Sequence, residues 1–215
     1  MIRYLTEAIG TFFLVFAIGM TAVLGTDAAP LAIGATLMVM VYMGGHVSGA
    51  HYNPAVTLAV FMRGALKKGD VFPYIAAQII GAWLGAWSVY LITGDTFSPA
   101  PGAAFGTGPV LLAEVLVTFA LALVILNVAT SETTEGNSYY GLAIGFTVMA
   151  GAYAVGPVSG GAFNPAVGIG PTIVDTLAGG GSLQNLWYYI VGPILGAAAA
   201  VPVFRMQAAS GPSGE

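Results

Sequence analysis

Apolar residues dominate the chain in six long runs, and short stretches with glycine, proline or charged residues separate these runs. A helix that crosses a bilayer needs about 20 consecutive, mostly apolar residues, and each run has roughly that length. The pattern therefore predicts six transmembrane helices, at about 4–25, 31–50, 71–93, 110–130, 139–156 and 185–206.

Two further apolar segments, 54–62 and 165–173, are too short to cross a bilayer. Each begins with proline after an asparagine, and these residues are preferred at the first helical position and at the N-cap. Glycine-rich stretches at 44–50 and 156–162 precede them. Irregular backbone at membrane depth requires protein or a water-filled cavity to satisfy its polar groups. We therefore expect two re-entrant half-helices whose lead-ins line a cavity.

The half-helices lie in duplicated stretches, Val-Ser-Gly-Ala-His-Tyr-Asn-Pro-Ala-Val at 47–56 and Val-Ser-Gly-Gly-Ala-Phe-Asn-Pro-Ala-Val at 158–167. Seven of the ten positions match at an offset of 111 residues, which indicates an internal repeat. Glu7 and Thr11 recur as Glu114 and Thr118 at an offset of 107. The second half therefore has four extra residues between its first span and its re-entrant loop.

Each half contains three spans, an odd number, so the second half must be inverted in the membrane relative to the first. We predict an all-α membrane protein with one domain at 1–206, built from inverted repeats at about 1–93 and 110–206. Residues 207–215 are small and polar, and we expect them to form a C-terminal tail.

Composition excludes several classes of protein. Hydrophobic residues make up 57% of the 215 residues and charged residues only 7%, which excludes a water-soluble domain. Cysteine is absent and there are only two histidines, so the sequence predicts no disulfide, no metal centre and no cofactor. Nucleophile and acid-base pairs are missing as well, which argues against an enzyme.

The basic residues predict the orientation. With six spans, all five fall on the same side, which the positive-inside rule assigns to the cytoplasm. We therefore expect a multi-pass protein of the cell (plasma or inner) membrane with both termini cytoplasmic. The five residues are Arg3, Arg63, Lys67, Lys68 and Arg205.

These features resemble the aquaporins of the major intrinsic protein family. The resemblance rests on the inverted halves, the paired glutamates and two Asn-Pro-Ala motifs, and it extends from about Leu5 to Phe204. It implies a six-helix bundle, a pore in every subunit and a homotetramer. The motif residues are Asn53, Pro54, Ala55, Asn164, Pro165 and Ala166.

A pore centre follows physically if the half-helices meet near the midplane. Each helix N-terminus carries about half a positive charge, so two facing N-termini repel cations, and the NH2 groups of both asparagines would face the pore. Flanking backbone carbonyls would accept hydrogen bonds from the solute. The expected carbonyls belong to Gly49, Ala50, His51, Gly160, Gly161 and Ala162.

The sequence departs from the family pattern at Val167, where most relatives carry the arginine of the outer selectivity filter. The resemblance places the other filter positions at Ile33, Ala152 and Gly161, so the set is apolar. Valine provides neither the donors nor the charge of arginine. We therefore hypothesise a widened filter for water and small uncharged solutes such as glycerol, urea, ammonia and metalloid hydroxides including arsenite in its undissociated form.

Two alternatives stay open, a strictly water-selective channel and a proton-coupled transporter that uses Glu7 and Glu114. A purely structural membrane protein is a third. We expect the glutamates to hold the re-entrant loops together with Thr11 and Thr118, as the resemblance implies. The side chains of His46, His51 and Tyr153 are expected to have packing roles, with that of His51 satisfying loop backbone.

Overall fold

A computed structural model describes residues 1–210, and these form eight α-helices. Six of the eight are long and apolar enough to cross a membrane, which confirms the predicted fold class. The helices are α1 (Ile2–Val23), α2 (Ala29–Ser48), α3 (Pro54–Arg63), α4 (Lys68–Thr93), α5 (Thr107–Thr130), α6 (Tyr140–Ser159), α7 (Pro165–Val174) and α8 (Tyr188–Ala209).

The helices extend past several predicted span boundaries. Helix α4 begins at Lys68, before the apolar run, and α8 reaches Ala209. The prediction that the tail begins at 207 is therefore wrong for residues 207–209, because Gln-Ala-Ala continues a helix without a break. Hydropathy marks only the lipid-contacting part of a helix, not its ends. Residues 211–215 of the predicted tail lie outside the described residues.

The two half-helices α3 and α7 have ten residues each and start at asparagine N-caps. The Oδ1 atom of Asn53 accepts a hydrogen bond from the Ala55 N–H at 2.9 Å. Oδ1 of Asn164 does the same with the Ala166 N–H at 2.9 Å. These bonds satisfy an N–H group that a helix start otherwise leaves without a partner, and they fix where each half-helix begins.

The four extra residues of the second half lie in the connection between α5 and α6. Helices α2 and α6 are both 20 residues long, and their first residues lie 111 positions apart. Residues 24–28 join α1 to α2, whereas residues 131–139 join α5 to α6. The longer connector folds back on α5, where Nδ2 of Asn137 donates to the Val128 carbonyl at 2.7 Å.

Glycines let the long helices approach one another closely. A Cβ atom at Gly81 of α4 would collide with the Ala8 carbonyl of α1, and one at Gly196 of α8 with the Val115 carbonyl of α5. Small residues at such crossings permit the tight backbone contact that holds membrane bundles together. The same packing thus recurs in both halves.

Two basic side chains, those of Arg3 and Arg63, bind groups at one end of the bundle. Arg3 forms an ion pair with Asp70 at 3.0 Å. Arg63, at the end of α3, donates from Nη2 to the Thr130 carbonyl at 2.9 Å. The end of α3 therefore lies beside the C-terminal end of α5.

The half-helix α7 ends at the opposite side of the bundle. Its C-cap residue, Asp175, accepts hydrogen bonds from Thr96 Oγ1 at 2.6 Å and Ser98 Oγ at 2.7 Å, just after α4 ends. Helix α5 connects this side to the other over 24 residues, or about 36 Å at 1.5 Å per residue. The two half-helices thus run to opposite ends.

Candidate functional site

The N-termini of α3 and α7 meet in the interior of the bundle. Nδ2 of Asn53 donates to the Phe163 carbonyl at 2.9 Å, and Nδ2 of Asn164 donates to the Tyr52 carbonyl at 2.9 Å. Both asparagines are buried. Each half of the chain therefore supplies the acceptor for the asparagine of the other half.

These bonds determine how the asparagine amides are presented. An amide NH2 has two hydrogens, and the opposing loop takes one of them. Because the Oδ1 atoms cap the half-helices, the amides cannot turn over without losing the cap. One N–H of each amide is used between the halves and the other is left for another partner, and the expectation that the NH2 groups face the pore stays a prediction. Both asparagines line one cavity.

The loops before the asparagines adopt unusual backbone conformations. Ala50, Tyr52 and Phe163 have φ values of 51°, 49° and 50°, and Gly161 has a φ of 66°. The left-handed region costs roughly 1–2 kcal/mol for a residue with a side chain. Since the same two positions are left-handed in both repeats, other contacts must stabilise the two loops.

The carboxylate of Glu7 is one source of that stabilisation. It is fully buried and accepts four hydrogen bonds, two on each oxygen. Their donors are Ser48 Oγ at 2.6 Å, the His51 N–H at 3.0 Å, the Tyr52 N–H at 2.7 Å and Gln78 Nε2 at 2.7 Å. The side chain of α1 thereby ties the first re-entrant loop to α4.

Glu114 has the same position relative to the second loop. It accepts hydrogen bonds from Ser159 Oγ at 2.7 Å, the Ala162 N–H at 3.1 Å and the Phe163 N–H at 2.7 Å. The carboxylate is fully buried. Both glutamates therefore bind loop backbone directly, as a carboxylate with several backbone donors does when it organises a turn.

The threonines do not share this role, and that part of the expectation is wrong. Thr11 Oγ1 donates to the carbonyl of Glu7 in its own helix at 2.8 Å. Thr118 Oγ1 has no hydrogen-bond partner within the described part of the chain. A threonine hydroxyl in a helix returns to the carbonyl one turn earlier, so it does not reach the loop.

His51 contacts a side chain rather than loop backbone, which corrects a second expectation. Its Nδ1 lies 3.2 Å from Thr57 Oγ1, and Gln78 Nε2 donates to the same hydroxyl at 2.9 Å. Sequence reasoning missed Thr57 and Gln78. A lone glutamine in the apolar run at 71–93 was the available signal, since a buried amide requires partners.

A cavity of about 340 Å³, called the filter cavity below, contains all four predicted filter positions and both asparagines. Four elements contribute the positions: Ile33 lies on α2, Ala152 on α6, Gly161 in the second loop and Val167 on α7. We call these four residues the filter ring. Among the described residues that line the cavity, Asp27 is the only Asp, Glu, Lys or Arg.

Tyr153 also lines the filter cavity, and 54% of its surface is exposed. The expectation that it packs in the core is therefore wrong. Tyr153 follows Ala152 directly on α6, where neighbouring positions point about 100° apart. Whether a position on α6 lines the cavity or packs in the core depends on where the cavity lies relative to the helix. The sequence does not contain this information.

The predicted carbonyl positions divide between two cavities. His51, Gly160, Gly161 and Ala162 line the filter cavity. Gly49 lines a second cavity, and Ala50 is part of neither. The Ala50 N–H binds Ser48 Oγ at 3.1 Å, which holds this turn against the end of α2. The acceptor role of the Gly49 and Ala50 carbonyls stays a prediction.

The second cavity has a volume of about 760 Å³ and lies beside the connector 131–139, so we call it the connector cavity. His46 lines it, and its packing role stays a prediction. Tyr140 and Ile144 of α6 line it as well. Ile144 is the only described residue that lines both cavities.

The part of the chain that the structure describes contains no group of three or more His, Cys, Asp or Glu side chains placed to bind a metal ion. Six membrane-length helices pack around two half-helices whose N-termini meet beside a cavity, and this arrangement is that of a membrane channel.

Comparison with known proteins identifies the family. The family described as "MIP: Major intrinsic protein" matches residues 1–204. The chain therefore belongs to the major intrinsic protein family, as the sequence motifs predict.

Individual relatives agree with this assignment. The chain is similar to "Probable aquaporin NIP-type" from Nicotiana alata, at 37% identity over 95% of this chain and 77% of that protein. It is similar to "Glycerol uptake facilitator protein-like 6" from Lactiplantibacillus plantarum, at 38% identity over 95% and 97%. The X-ray structure of the aquaglyceroporin from Plasmodium falciparum has the same fold, with a TM-score of 0.85, 22% identity and coverage of 95% and 99%.

Proposed function

We propose that this passive channel for water and small solutes passes small uncharged molecules besides water, among them glycerol, urea, ammonia and metalloid hydroxides such as arsenous acid. The observation that carries the proposal is the filter ring, whose four residues are apolar and line one cavity with both asparagines. No Lys or Arg is found among the described residues that line this cavity.

The filter ring favours such solutes for a physical reason. A small polyol or amide has hydroxyl or N–H donors and an apolar carbon face. Val167 contacts an apolar face without the fixed positive donors that an arginine would add, and the nearby loop residues Gly160, Gly161 and Ala162 offer carbonyl acceptors. The relative from Lactiplantibacillus plantarum carries a name that refers to glycerol uptake, which supports the same reading.

We attribute the exclusion of cations and protons to the asparagine pair. Two half-helix N-termini that face each other put a positive potential at the pore centre, and a low dielectric strengthens it. The free N–H of Asn53 and of Asn164 would donate to the oxygen of a passing water or solute. A pH-sensitive dye inside proteoliposomes tests this assignment, and a proton leak well above that of empty vesicles would contradict it.

Stopped-flow light scattering on proteoliposomes tests the solute range. Wild-type channels should pass glycerol and urea at rates clearly above empty vesicles, and Val167→Arg should lower both relative to water. Val167→Leu is the matched control, because it adds volume without charge or donors. If water flux far exceeds glycerol and urea flux, and Val167→Arg leaves the ratios unchanged, the channel is strictly water-selective instead.

A proton-coupled transporter is the alternative of a different class. It would need carboxylates that exchange protons with the pore, whereas both carboxylate oxygens of Glu7 and of Glu114 bind loop donors. Solute uptake that saturates and follows an imposed pH gradient would favour this alternative. Uptake that follows the solute gradient alone would favour the channel.

Topology and assembly belong to the same proposal. We assign inverted repeats to about 1–93 and 110–206, both termini to the cytoplasmic side of the cell membrane, and a homotetrameric state. Because the chain has no cysteine, Lys67→Cys and Asp95→Cys can be labelled separately from each side of the membrane. Labelling of both from the same side would contradict the topology, and a monomer by light scattering in mild detergent would contradict the tetramer.

A further inference from the structure

The repeat gives every member of the filter ring a counterpart in the other half. Helices α2 and α6, the two re-entrant loops, and α3 and α7 all correspond at an offset of 111 residues. This offset relates Ile33 to Ile144, Ala152 to Val41, Gly161 to Ala50, and Val167 to Val56. We call these second residues, Ile144, Val41, Ala50 and Val56, the counterpart ring.

Helix α2 shows where the counterpart ring lies along the pore. Ile33 and Leu37 line the filter cavity, whereas Val41 and Gly45 line the connector cavity. These residues are four positions apart and so share one face of the helix. The change from one cavity to the other thus falls between Leu37 and Val41.

Helix α6 also passes from one cavity to the other, and it runs in the opposite order along the chain. Ala152 and Val148 line the filter cavity, Tyr140 lines the connector cavity, and Ile144 lines both. Val41 and Ile144 therefore stand at the boundary between the two cavities.

The counterpart ring is bulkier than the filter ring. Valine replaces alanine at Val41 and alanine replaces glycine at Ala50, while the isoleucine and the valine are kept. All four counterpart residues are buried, with exposed fractions of 2% for Val41, 5% for Ala50, 1% for Val56 and 4% for Ile144. In the filter ring, by contrast, Ile33, Ala152 and Gly161 are partly exposed. The counterpart ring therefore has larger and less exposed side chains than the filter ring.

We infer that Val41 and Ile144, the two counterpart-ring residues that line the connector cavity, set the largest solute that the channel passes. An apolar constriction between two water-filled cavities restricts passage by size and by dewetting. A solute that fits the filter ring must still lose most of its water at Val41 and Ile144, where the side chains offer no hydrogen bond. The inference rests on the proposed function, because it concerns the same solutes.

The test exchanges residues between the rings and measures glycerol, urea and water fluxes in proteoliposomes. Val41→Ala places in the counterpart ring the alanine that the filter ring has at the equivalent position, Ala152. The ratio of glycerol to water permeability should rise by about tenfold, equivalent to about 1.4 kcal/mol of barrier. Val39→Ala is the matched control, since Val39 lies on the same helix with 46% of its surface exposed and lines neither cavity.

The reciprocal change is Ala152→Val in the filter ring. It should lower glycerol flux by less than Val41→Ala raises it, because the ring it narrows is not the limiting one. Ile144→Val removes a single methylene and should raise the glycerol ratio in the same direction as Val41→Ala. This milder variant serves if Val41→Ala gives too little folded protein. All fluxes are divided by the amount of channel in the vesicles.

Several outcomes would overturn the inference. These are an unchanged glycerol ratio in folded Val41→Ala and Ile144→Val, an equal rise in Val39→Ala, or a larger effect from Ala152→Val. A different result would contradict the proposed function without contradicting this inference. If wild type passes only water but Val41→Ala admits glycerol, the proposed solute range is wrong and the counterpart ring still limits size.

Discussion

The two re-entrant loops have nearly the same backbone but different support. In the first half, Thr57 Oγ1 accepts from Gln78 Nε2, which also donates to Glu7, and His51 lies beside the same hydroxyl. The glutamate, the histidine, the threonine and the glutamine thus form one buried polar network. A network of this kind stabilises a site only while its members stay paired.

The second half has a glycine and a tyrosine at the positions of the threonine and the glutamine. At the offset of 111, Thr57 corresponds to Gly168, and Gln78 corresponds to Tyr189. A Cβ at Gly168 would lie 2.5 Å from Cβ of Tyr189, so the ring packs where the first half has its threonine. The two halves therefore share the buried glutamate and the backbone of the re-entrant loop, whereas the residues that pack behind the loop differ.

Both halves contain a hydrogen bond from a tyrosine hydroxyl to a serine carbonyl, but the two tyrosines are at different positions of the repeat. Tyr74 OH donates to the Ser48 carbonyl at 2.8 Å, and Tyr189 OH donates to the Ser159 carbonyl at 2.6 Å. The two serines are repeat equivalents, yet the two tyrosines are not, because Tyr74 corresponds to Asn185. Satisfying a buried carbonyl matters more than which residue does it.

The largest effect expected from this comparison comes from the glutamates. Glu7→Gln and Glu114→Gln each place an NH2 group beside at least one N–H donor, which should destabilise the fold by about 3 kcal/mol. Glu7→Gln should cost more, because Glu7 accepts from three N–H groups and Glu114 from two. The temperature at which half the protein stays monodisperse in detergent measures both. A larger loss for Glu114→Gln would break the comparison.

Substitution of the two tyrosines should lower stability by an intermediate amount that is equal for both. Tyr74→Phe and Tyr189→Phe each remove one bond to a buried carbonyl, at a cost of about 1 kcal/mol. The same thermal assay applies, and Tyr153→Phe serves as the control because Tyr153 is 54% exposed. A loss confined to one of the buried tyrosines would show that the two serine carbonyls are not equivalent.

The smallest effect is expected at Thr118. Its buried hydroxyl has no partner within the described residues, so Thr118→Val should leave stability unchanged or raise it slightly. Thr11→Val is the matched change in the first half, and it removes the bond to the Glu7 carbonyl, at a cost of up to about 1 kcal/mol. A marked loss in Thr118→Val alone would mean that this hydroxyl has a partner in the membrane.

Much of the fold was predictable because it depends on local patterns. Apolar runs define the spans, and the Asn-Pro pairs mark the starts of α3 and α7. The repeat also related Glu7 to Glu114 before any contact was known. These signals are local or periodic, so a single sequence is enough to detect them.

The roles that could not be predicted depend on which way side chains point in the folded protein. Tyr153 lines the filter cavity because of the direction in which its side chain points from α6. Gln78 needed its partners on two other helical elements to be recognised. Neither kind of information is present in an apolar pattern.

The crossed bonds between Asn53 and Phe163, and between Asn164 and Tyr52, have a consequence for biosynthesis. The acceptor of Asn53 lies 110 residues further along the chain, so it does not yet exist when the first half leaves the ribosome. Domains form in the order of their synthesis, and the first three spans can therefore insert with their central loop still unfinished. The pair of asparagine bonds can form only when both halves are in the bilayer.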